Sequence, residues 1–192
     1  MSVAAPEVAQ AAQLACLLEA SAPKPGNVSP GRPFRNTTFE DFLASAVAIG
    51  PAFAQVAERS LGETIRAAVE ATALVTQTNT NLGIILLLAP LARAAVESGG
   101  SPLERLELVL GATTVQDAEE VYQATRRANP GGMGHAESQD LGSTPQVTLL
   151  ETMQLAGGRD AVAGEYATAF AITRMVGAPA LRTARADGLN WS

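Results

Sequence analysis

The chain has 192 residues, of which 47% are hydrophobic, 17% charged and 4% aromatic, and its formal net charge is -6. This length suits one domain with a single core, which needs neither disulfides nor a structural metal to fold. The negative charge excludes general nucleic-acid binding, which relies on basic surface. Because Cys16 is the only cysteine and no basic, apolar leader precedes the first helix, we expect a cytoplasmic protein without structural zinc.

Apolar residues recur at helical spacing along nearly the whole chain, which predicts an all-α fold in a single compact domain. The predicted outer helices cover residues 6–20, 38–59, 61–76, 102–111, 114–128, 145–156 and 159–176, with a kink at Gly50 and Pro51. Thr38 and Ser101 are predicted helix caps. The helix over about residues 82–97 has no polar face, so we expect it at the centre. Its apolar run is too short to span a bilayer, and further helices could follow Ser192.

The first candidate site is the segment 22–35, which carries Lys24, Arg32 and Arg35 and no acid. Lys24 is the only lysine, and the following Pro25 and Gly26 favour a tight turn that exposes backbone amides. These features are typical of a phosphate cradle. A proline-rich surface connection with solvated charges fits the segment equally well, and both interpretations stay open.

The second candidate is the run of uncharged polar residues 76–81, which directly precedes the central helix. The unpaired amides of a helix N-terminus attract phosphate or carboxylate, and Asn and Thr can hold hydroxyls or a base edge. One such residue would suffice as a helix cap. The excess of polar side chains therefore favours a binding role.

The third candidate is the glycine-rich segment 129–144, which contains the only histidine, His135. A loop of this length is typical of lids, binding loops or disorder. A single histidine cannot make a zinc site, so Asp140 is the stronger candidate, as a Mg²⁺ ligand or a base. Upstream, Asp117 and Glu120 share one helical face at a spacing compatible with a metal. Most acids in such positions are solvated first-turn residues that complement a helix dipole.

These segments, in this order on a helical chain, resemble the triphosphoribosyl-dephospho-CoA synthase family. The matching stretches are residues 24–28, 39–46, 79–83, 117–122, 130–134, 159–160 and 165–166. The ordered set is more specific than any one stretch and covers nearly the whole chain. The resemblance implies a pentosyltransferase that joins C1 of the ribose of ATP to the 2′-hydroxyl of 3′-dephospho-CoA and releases adenine.

The resemblance also implies a cradle for a triphosphate with Mg²⁺, and a base for the acceptor hydroxyl. The substrate-binding residues that it suggests are Lys24, Gly26, Asn27, Ser45, Asn79, Thr80, Asn81, Gly83, Gly131 and Gly132. Asp41, Asp117 and Asp140 are the candidates for the catalytic acid or base, and Asp117 and Asp140 for the metal ligands.

Two other interpretations remain. Asn81 and Leu82 stand where the lyase-linked members of the family carry a His-Lys pair. This form resembles a branch associated with methanopterin-type one-carbon carriers, which implies a related enzyme with another acceptor, a different cofactor precursor. The chain could also be a noncatalytic helical binding or assembly module, and homo-oligomerisation stays open.

Overall fold

Helices account for the regular secondary structure of this computed structural model, which describes residues 2–24, 26–130 and 141–189. In chain order they are α1 (Ala5–Ser21), α2 (Phe39–Ala48), α3 (Gly50–Phe53), α4 (Leu61–Ala73), α5 (Leu82–Val96), α6 (Pro102–Gly111), α7 (Val115–Ala128), α8 (Leu149–Ala156), α9 (Ala161–Ala167), a π-helical turn (Thr173–Gly177) and α10 (Ala178–Ala186). Within the described ranges, β-type pairing is confined to the isolated bridges Ser29–Arg32 and Phe34–Thr37. The predicted all-α class is confirmed.

Side-chain caps explain where many of these helices begin. In a capping box, a Ser or Thr hydroxyl accepts from the amide three residues later, and the acid at that position accepts from the Ser or Thr amide. Such pairs are Thr38 with Asp41, Ser60 with Glu63, Ser101 with Glu104, Thr114 with Asp117, and Thr148 with Glu151. The caps predicted at Thr38 and Ser101 are thereby confirmed.

The central position predicted for the most apolar helix is also confirmed. No residue of α5 is fully exposed, and the helix packs against α1, α4, α6 and α9. Pro90 lies inside α5 and has no N–H to donate to the Leu86 carbonyl. The hydroxyl of Tyr166 in α9 donates to that carbonyl at 2.7 Å. The gap in the helix is therefore compensated by a hydrogen bond that ties α9 to α5.

Several predicted helix boundaries are wrong for identifiable reasons. The helix predicted over residues 38–59 divides at Ile49 into α2 and α3, beside the kink predicted at Gly50 and Pro51, and α3 already ends at Phe53. Pro51 cannot donate to the Val47 carbonyl, which accepts from Nε2 of Gln13 at 2.8 Å instead. The helix predicted from residue 145 begins only at Leu149, because Thr148 supplies its cap. The following break at residues 157–158 lies between α8 and α9, where it is predicted.

The helix predicted over residues 159–176 ends at Ala167. The chain then turns through Ala169 and Phe170, which have positive φ angles of 49° and 62°. The Glu165 carboxylate holds this turn, because its two oxygens accept from the amides of Ile172 and Thr173, both at 2.9 Å. The prediction of a continuous helix is therefore wrong, because no periodic pattern of apolar residues signals such a side-chain anchor.

The helix directions bring several helix ends together. The Val3 amide donates to the Ala95 carbonyl at 2.9 Å, so α1 runs antiparallel to α5. The Gly62 amide donates to Oδ1 of Asp117 at 2.7 Å, so the N-terminal ends of α4 and α7 are neighbours. The C-terminal ends of α1, α4 and α7 therefore lie at the same end of the bundle as the start of α5. We call it the cleft end. No described helix is long and apolar enough to cross a membrane.

Candidate functional site

The residues 76–81, which we call the polar loop, form the centre of the cleft end. Oδ1 of Asn79 accepts from the Leu82 amide at 3.1 Å and thereby caps α5. Asn81 occupies the N-cap position itself, but its side chain makes no cap hydrogen bond. Instead, Oδ1 of Asn81 lies 3.3 Å from the Thr72 hydroxyl of α4, which it shares as a donor with the Ala68 carbonyl at 3.1 Å. Asn79 therefore caps α5, whereas the side chain of Asn81 is free of that role and is oriented by α4.

Asn81 is 5% exposed, and its Nδ2 atom is buried with no hydrogen-bond partner among the described residues. A buried amide nitrogen without an acceptor costs free energy and is rare in native proteins. This donor is the most direct sign of a ligand at the polar loop. Sequence reasoning pointed to Asn81 but did not identify Thr72 as its partner.

Hydroxyl contacts join the polar loop to the start of α2. Oγ of Ser45 lies 2.6 Å from Oγ1 of Thr80 and donates to the Asp41 carbonyl at 2.7 Å. Thr37 donates its hydroxyl to that of Thr78 at 3.2 Å. The resemblance stretches 39–46 and 79–83 thus meet at the cleft end. These contacts fix the backbone of the polar loop relative to α2.

Asp41 is half-buried at this junction and also caps α2. Its Oδ2 atom accepts from the amide and the hydroxyl of Thr38, at 2.7 and 3.1 Å. Its other carboxylate oxygen has no hydrogen-bond partner among the described residues. Asp41 can therefore keep its structural bond and still offer one oxygen to a ligand.

Two clefts flank the polar loop. The inner cleft, between α4, α5 and α7, has a volume of about 230 Å³, and its walls include Val69, Thr72, Thr76, Asn79, Asn81 and Arg127. The outer cleft, between the start of α2 and the end of α4, has a volume of about 430 Å³ and includes Asn36, Asp41, Thr76 and Thr78. Ligand pockets for drug-sized molecules measure about 300–1,000 Å³, a range that includes the outer cleft but not the smaller inner cleft.

Lys24 is not the free cation that its sequence context predicts. Its Nζ atom lies 2.9 Å from Oε1 of Glu19 and also donates to the Glu19 carbonyl. Nδ2 of Asn27 donates to the same Oε1 at 3.2 Å, and the Asn27 amide oxygen accepts from the Val28 amide at 2.9 Å. Gly26 between them has a positive φ of 76°, which suits glycine. Glu19 precedes the acid-free segment, so its pairing with Lys24 could be found only from the fold.

Asp117 lies away from the polar loop. It is ten residues before Arg127 in α7, a separation of about 15 Å along a helix axis. It is 4% exposed and accepts from the Gly62 amide and from the amide and hydroxyl of Thr114. Burial by itself would raise the pKa of Asp117, but these hydrogen bonds outweigh it and hold the pKa below the ordinary value. This environment is that of a structural carboxylate that joins α4 to α7.

Glu120 also has a local partner, because its carboxylate pairs with the guanidinium of Arg66 in α4. Gly83 lies in the first turn of α5 opposite Val162, and an added Cβ would stand 3.7 Å from that side chain, an ordinary contact. The predicted residues Gly131, Gly132, His135 and Asp140 lie outside the described residues. Among the described residues, no group of three or more His, Cys, Asp or Glu side chains is placed to hold a metal ion.

Arg127 is a residue of the cleft end that sequence reasoning missed. It is exposed in the wall of the inner cleft, and no ion pair or hydrogen bond joins it to another described residue. Its neighbour Arg126 donates to the Leu141 carbonyl. Two adjacent arginines at a helix C-terminus are typical of dipole-complementing charges, so the sequence offers no signal to separate them.

Comparisons with known proteins give one result. A family model described as ATP:dephospho-CoA triphosphoribosyl transferase, CitG, matches residues 5–192. Searches among curated proteins and among solved structures found no significant match to the chain.

Proposed function

Because the chain belongs to the CitG family of ATP:dephospho-CoA triphosphoribosyl transferases, we propose that it transfers the triphosphoribosyl group of ATP to the 2′-hydroxyl of 3′-dephospho-CoA. The observation that carries this proposal is the match over residues 5–192. The clefts on both sides of the polar loop support it, because both offer hydrogen-bonding groups to a ligand.

In this reaction the bond between the ribose C1 and the adenine N9 breaks, and a bond between that C1 and the acceptor oxygen forms. The acceptor hydroxyl loses its proton to a base, and adenine leaves after gaining a proton. We assign the base to Asp41, whose free carboxylate oxygen adjoins the outer cleft. Asn79, Thr80 and Asn81 position the ribose and phosphates, since their loop is held from α2 and α4.

Mg²⁺ with ATP is part of the same proposal. This ion usually takes one or two protein carboxylates and completes its shell with water and substrate phosphates. Because the free oxygen of Asp41 is assigned to the base, a bound Mg²⁺ would be held mainly by water and the substrate phosphates, and it would supply positive charge to the triphosphate. The metal roles predicted for Asp117 and Asp140 stay predictions, and the saturated hydrogen bonding of Asp117 gives no support to the role of that residue.

The test is adenine release, measured by chromatography, from Mg-ATP with and without 3′-dephospho-CoA. We expect release that depends on the acceptor and strong loss of it in Asp41→Asn, which retains an oxygen that can cap α2. Glu40→Gln is the matched control, because Glu40 is an exposed acid in the same helical turn. Full activity of Asp41→Asn would refute its role as base. Absence of adenine release with this acceptor would refute the proposed reaction.

The acceptor can be tested separately. The form of residues 79–83 resembles the branch linked to one-carbon carriers, so a second arm replaces 3′-dephospho-CoA with pterin-type cofactor precursors that carry a free ribose or ribitol hydroxyl. Adenine release that occurs with these compounds and not with 3′-dephospho-CoA would support the alternative acceptor. Loss of nucleotide binding in Asn79→Ala with intact helicity would contradict a noncatalytic assembly role.

A further inference from the structure

The inner cleft has the character of an anion site within an acidic protein. The chain carries a net charge of -6, yet no acidic residue is among the described residues that line this cleft. Arg127 contributes a guanidinium and Asn81 a buried amide nitrogen, and neither group has a partner in the described part of the chain. The N-terminus of α5 adjoins both and favours negative charge, whereas the C-terminal ends of α4 and α7 at the same cleft favour positive charge. The guanidinium and the amide nitrogen are therefore the two groups that favour an anion in this small cavity.

The arrangement of Asn81 depends on two neighbours. Asn79 caps α5 and so releases the side chain of Asn81 from that task. The Thr72 hydroxyl, shared between the Ala68 carbonyl and Oδ1 of Asn81, orients the carboxamide, and Nδ2 is left buried without a partner among the described residues. If Thr72 lacked its hydroxyl, the carboxamide could turn and present its oxygen, which would repel an anion.

Lys24 is a weaker candidate for the same task, although its sequence context is more suggestive. Its ammonium group already contacts the carboxylate and the carbonyl oxygen of Glu19. To bind a phosphate, Lys24 would have to break a charge-assisted contact. Arg127 makes no such contact with another described residue, so it has none to break. Arg127 also presents a planar fork that matches two phosphate oxygens.

We propose that the inner cleft binds phosphoryl oxygens of the substrate between Arg127 and Nδ2 of Asn81, with Thr72 as the positioning residue that orients the Asn81 amide. This assignment rests on the proposed function, in which both substrates carry phosphoanhydride groups. It places the main phosphate contact on α7 rather than on the loop that contains Lys24.

The first test is calorimetric titration with inorganic tripolyphosphate. We expect Arg127→Gln to weaken binding at least about tenfold, because a charge-assisted hydrogen bond is lost. Arg182→Gln, on the exposed face of α10, removes the same charge outside the cleft and should change Kd less than about threefold. Equal losses of affinity in Arg127→Gln and Arg182→Gln would show that the effect depends only on net charge, which would overturn the proposal. Unchanged binding in Arg127→Gln, or no binding by the wild type, would also overturn it.

The second test separates positioning by Thr72 from a purely structural role. Thr72→Val keeps the shape and removes the hydroxyl, whereas Thr72→Ser restores it. We expect weaker tripolyphosphate binding and, in the transfer assay, a raised KM for ATP with little change in kcat for Thr72→Val. Thr72→Ser should recover wild-type values, with helicity unchanged in both. Equal loss in both variants, or a loss confined to kcat, would refute the positioning role.

A third comparison identifies which phosphate group occupies the cleft. If ATP competes with tripolyphosphate for binding and 3′-dephospho-CoA does not, the cleft holds the triphosphate. If only 3′-dephospho-CoA competes, the cleft holds the pyrophosphate of the acceptor. Tripolyphosphate binding with the expected variant pattern but without adenine release would sustain the site and reject the reaction. Adenine release that is unaffected by Arg127→Gln would sustain the reaction and reject the site.

Discussion

The hydrogen bond between Tyr166 and the Leu86 carbonyl gives a sharp test of how the central helix tolerates Pro90. Tyr166 is 1% exposed and donates at 2.7 Å to a carbonyl that Pro90 leaves without its helical donor. Burial, reinforced by the charge of Asp117, raises the pKa of Tyr166, so its hydroxyl remains a donor at every working pH. In Tyr166→Phe the ring can keep its packing, including that against Phe170 at a centroid distance of 5.6 Å.

The expected cost of Tyr166→Phe follows from the orphaned carbonyl. A buried polar group without a partner costs about 1–3 kcal/mol, so the free energy of unfolding should fall by that amount. For a chain of this length, each kcal/mol lowers Tm by about 2–4 °C. Urea denaturation followed by circular dichroism measures the loss as a lower midpoint at constant slope.

A double-mutant cycle with Pro90→Ala identifies the cause. In the Pro90→Ala background, the new backbone N–H donates to the Leu86 carbonyl, so removal of the Tyr166 hydroxyl no longer leaves that group unpaired. We expect Tyr166→Phe to cost at least about 1 kcal/mol less there than in the wild type, a coupling in the range seen for residues in contact. Equal costs in the two backgrounds, within about 0.5 kcal/mol, would refute this account of α5.

Three further predictions concern the helical framework. Gly62→Ala would place a Cβ 2.6 Å from Cα of Asp117, so it should destabilise the fold by about 1–3 kcal/mol in urea titrations. Gly111→Ala, which meets nothing within 4 Å, should be neutral or stabilising. Because hydrogen bonds lower the pKa of Asp117 from 3.8 despite its burial, the stability lost in Asp117→Asn should be largest at neutral pH and shrink as pH falls below about 3.8. A gap that stays constant into acid contradicts this linkage. Glu165→Gln retains only one oxygen that can accept from the amides of Ile172 and Thr173. Hydrogen exchange at these two amides should therefore be faster than in the wild type, with exchange in α5 as the reference. Unchanged protection would exclude the role of Glu165 as the anchor of this turn.

Local signals account for the part of the fold that the sequence predicts. A capping residue acts within three positions of itself, and an apolar face is visible in the spacing of one helix. The starts of α2 and α6 and the central position of α5 therefore follow from the sequence. The errors arise where distant partners decide the outcome. Gln13 satisfies the carbonyl freed by Pro51, and Glu165 anchors a turn that interrupts a predicted helix.

The same distinction separates the predicted from the missed parts of the candidate site. The polar loop stands out because six uncharged polar residues precede an apolar helix. The roles of Asn79 and Asn81 cannot be told apart in sequence, since either could cap α5. Only the position of Thr72 across the loop separates them. Likewise, Glu19 neutralises Lys24 through a contact that the acid-free composition of the loop conceals.

The stretches that carry the family resemblance divide into two physical kinds. Asn79 and Asn81 lie at the clefts, and one of them has a donor without a partner among the described residues. The polar groups of Asp117 and Tyr166 instead form hydrogen bonds with the backbone of neighbouring helices. A framework residue of this kind is as sensitive to substitution as a catalytic one, because a buried group left without its partner destabilises the fold. Loss of activity in Asp117→Asn would therefore not identify a metal ligand unless the variant also kept the wild-type free energy of unfolding. Arg127 is exposed and unpaired among the described residues, so a loss of activity in an Arg127 variant can be interpreted without this concern about stability.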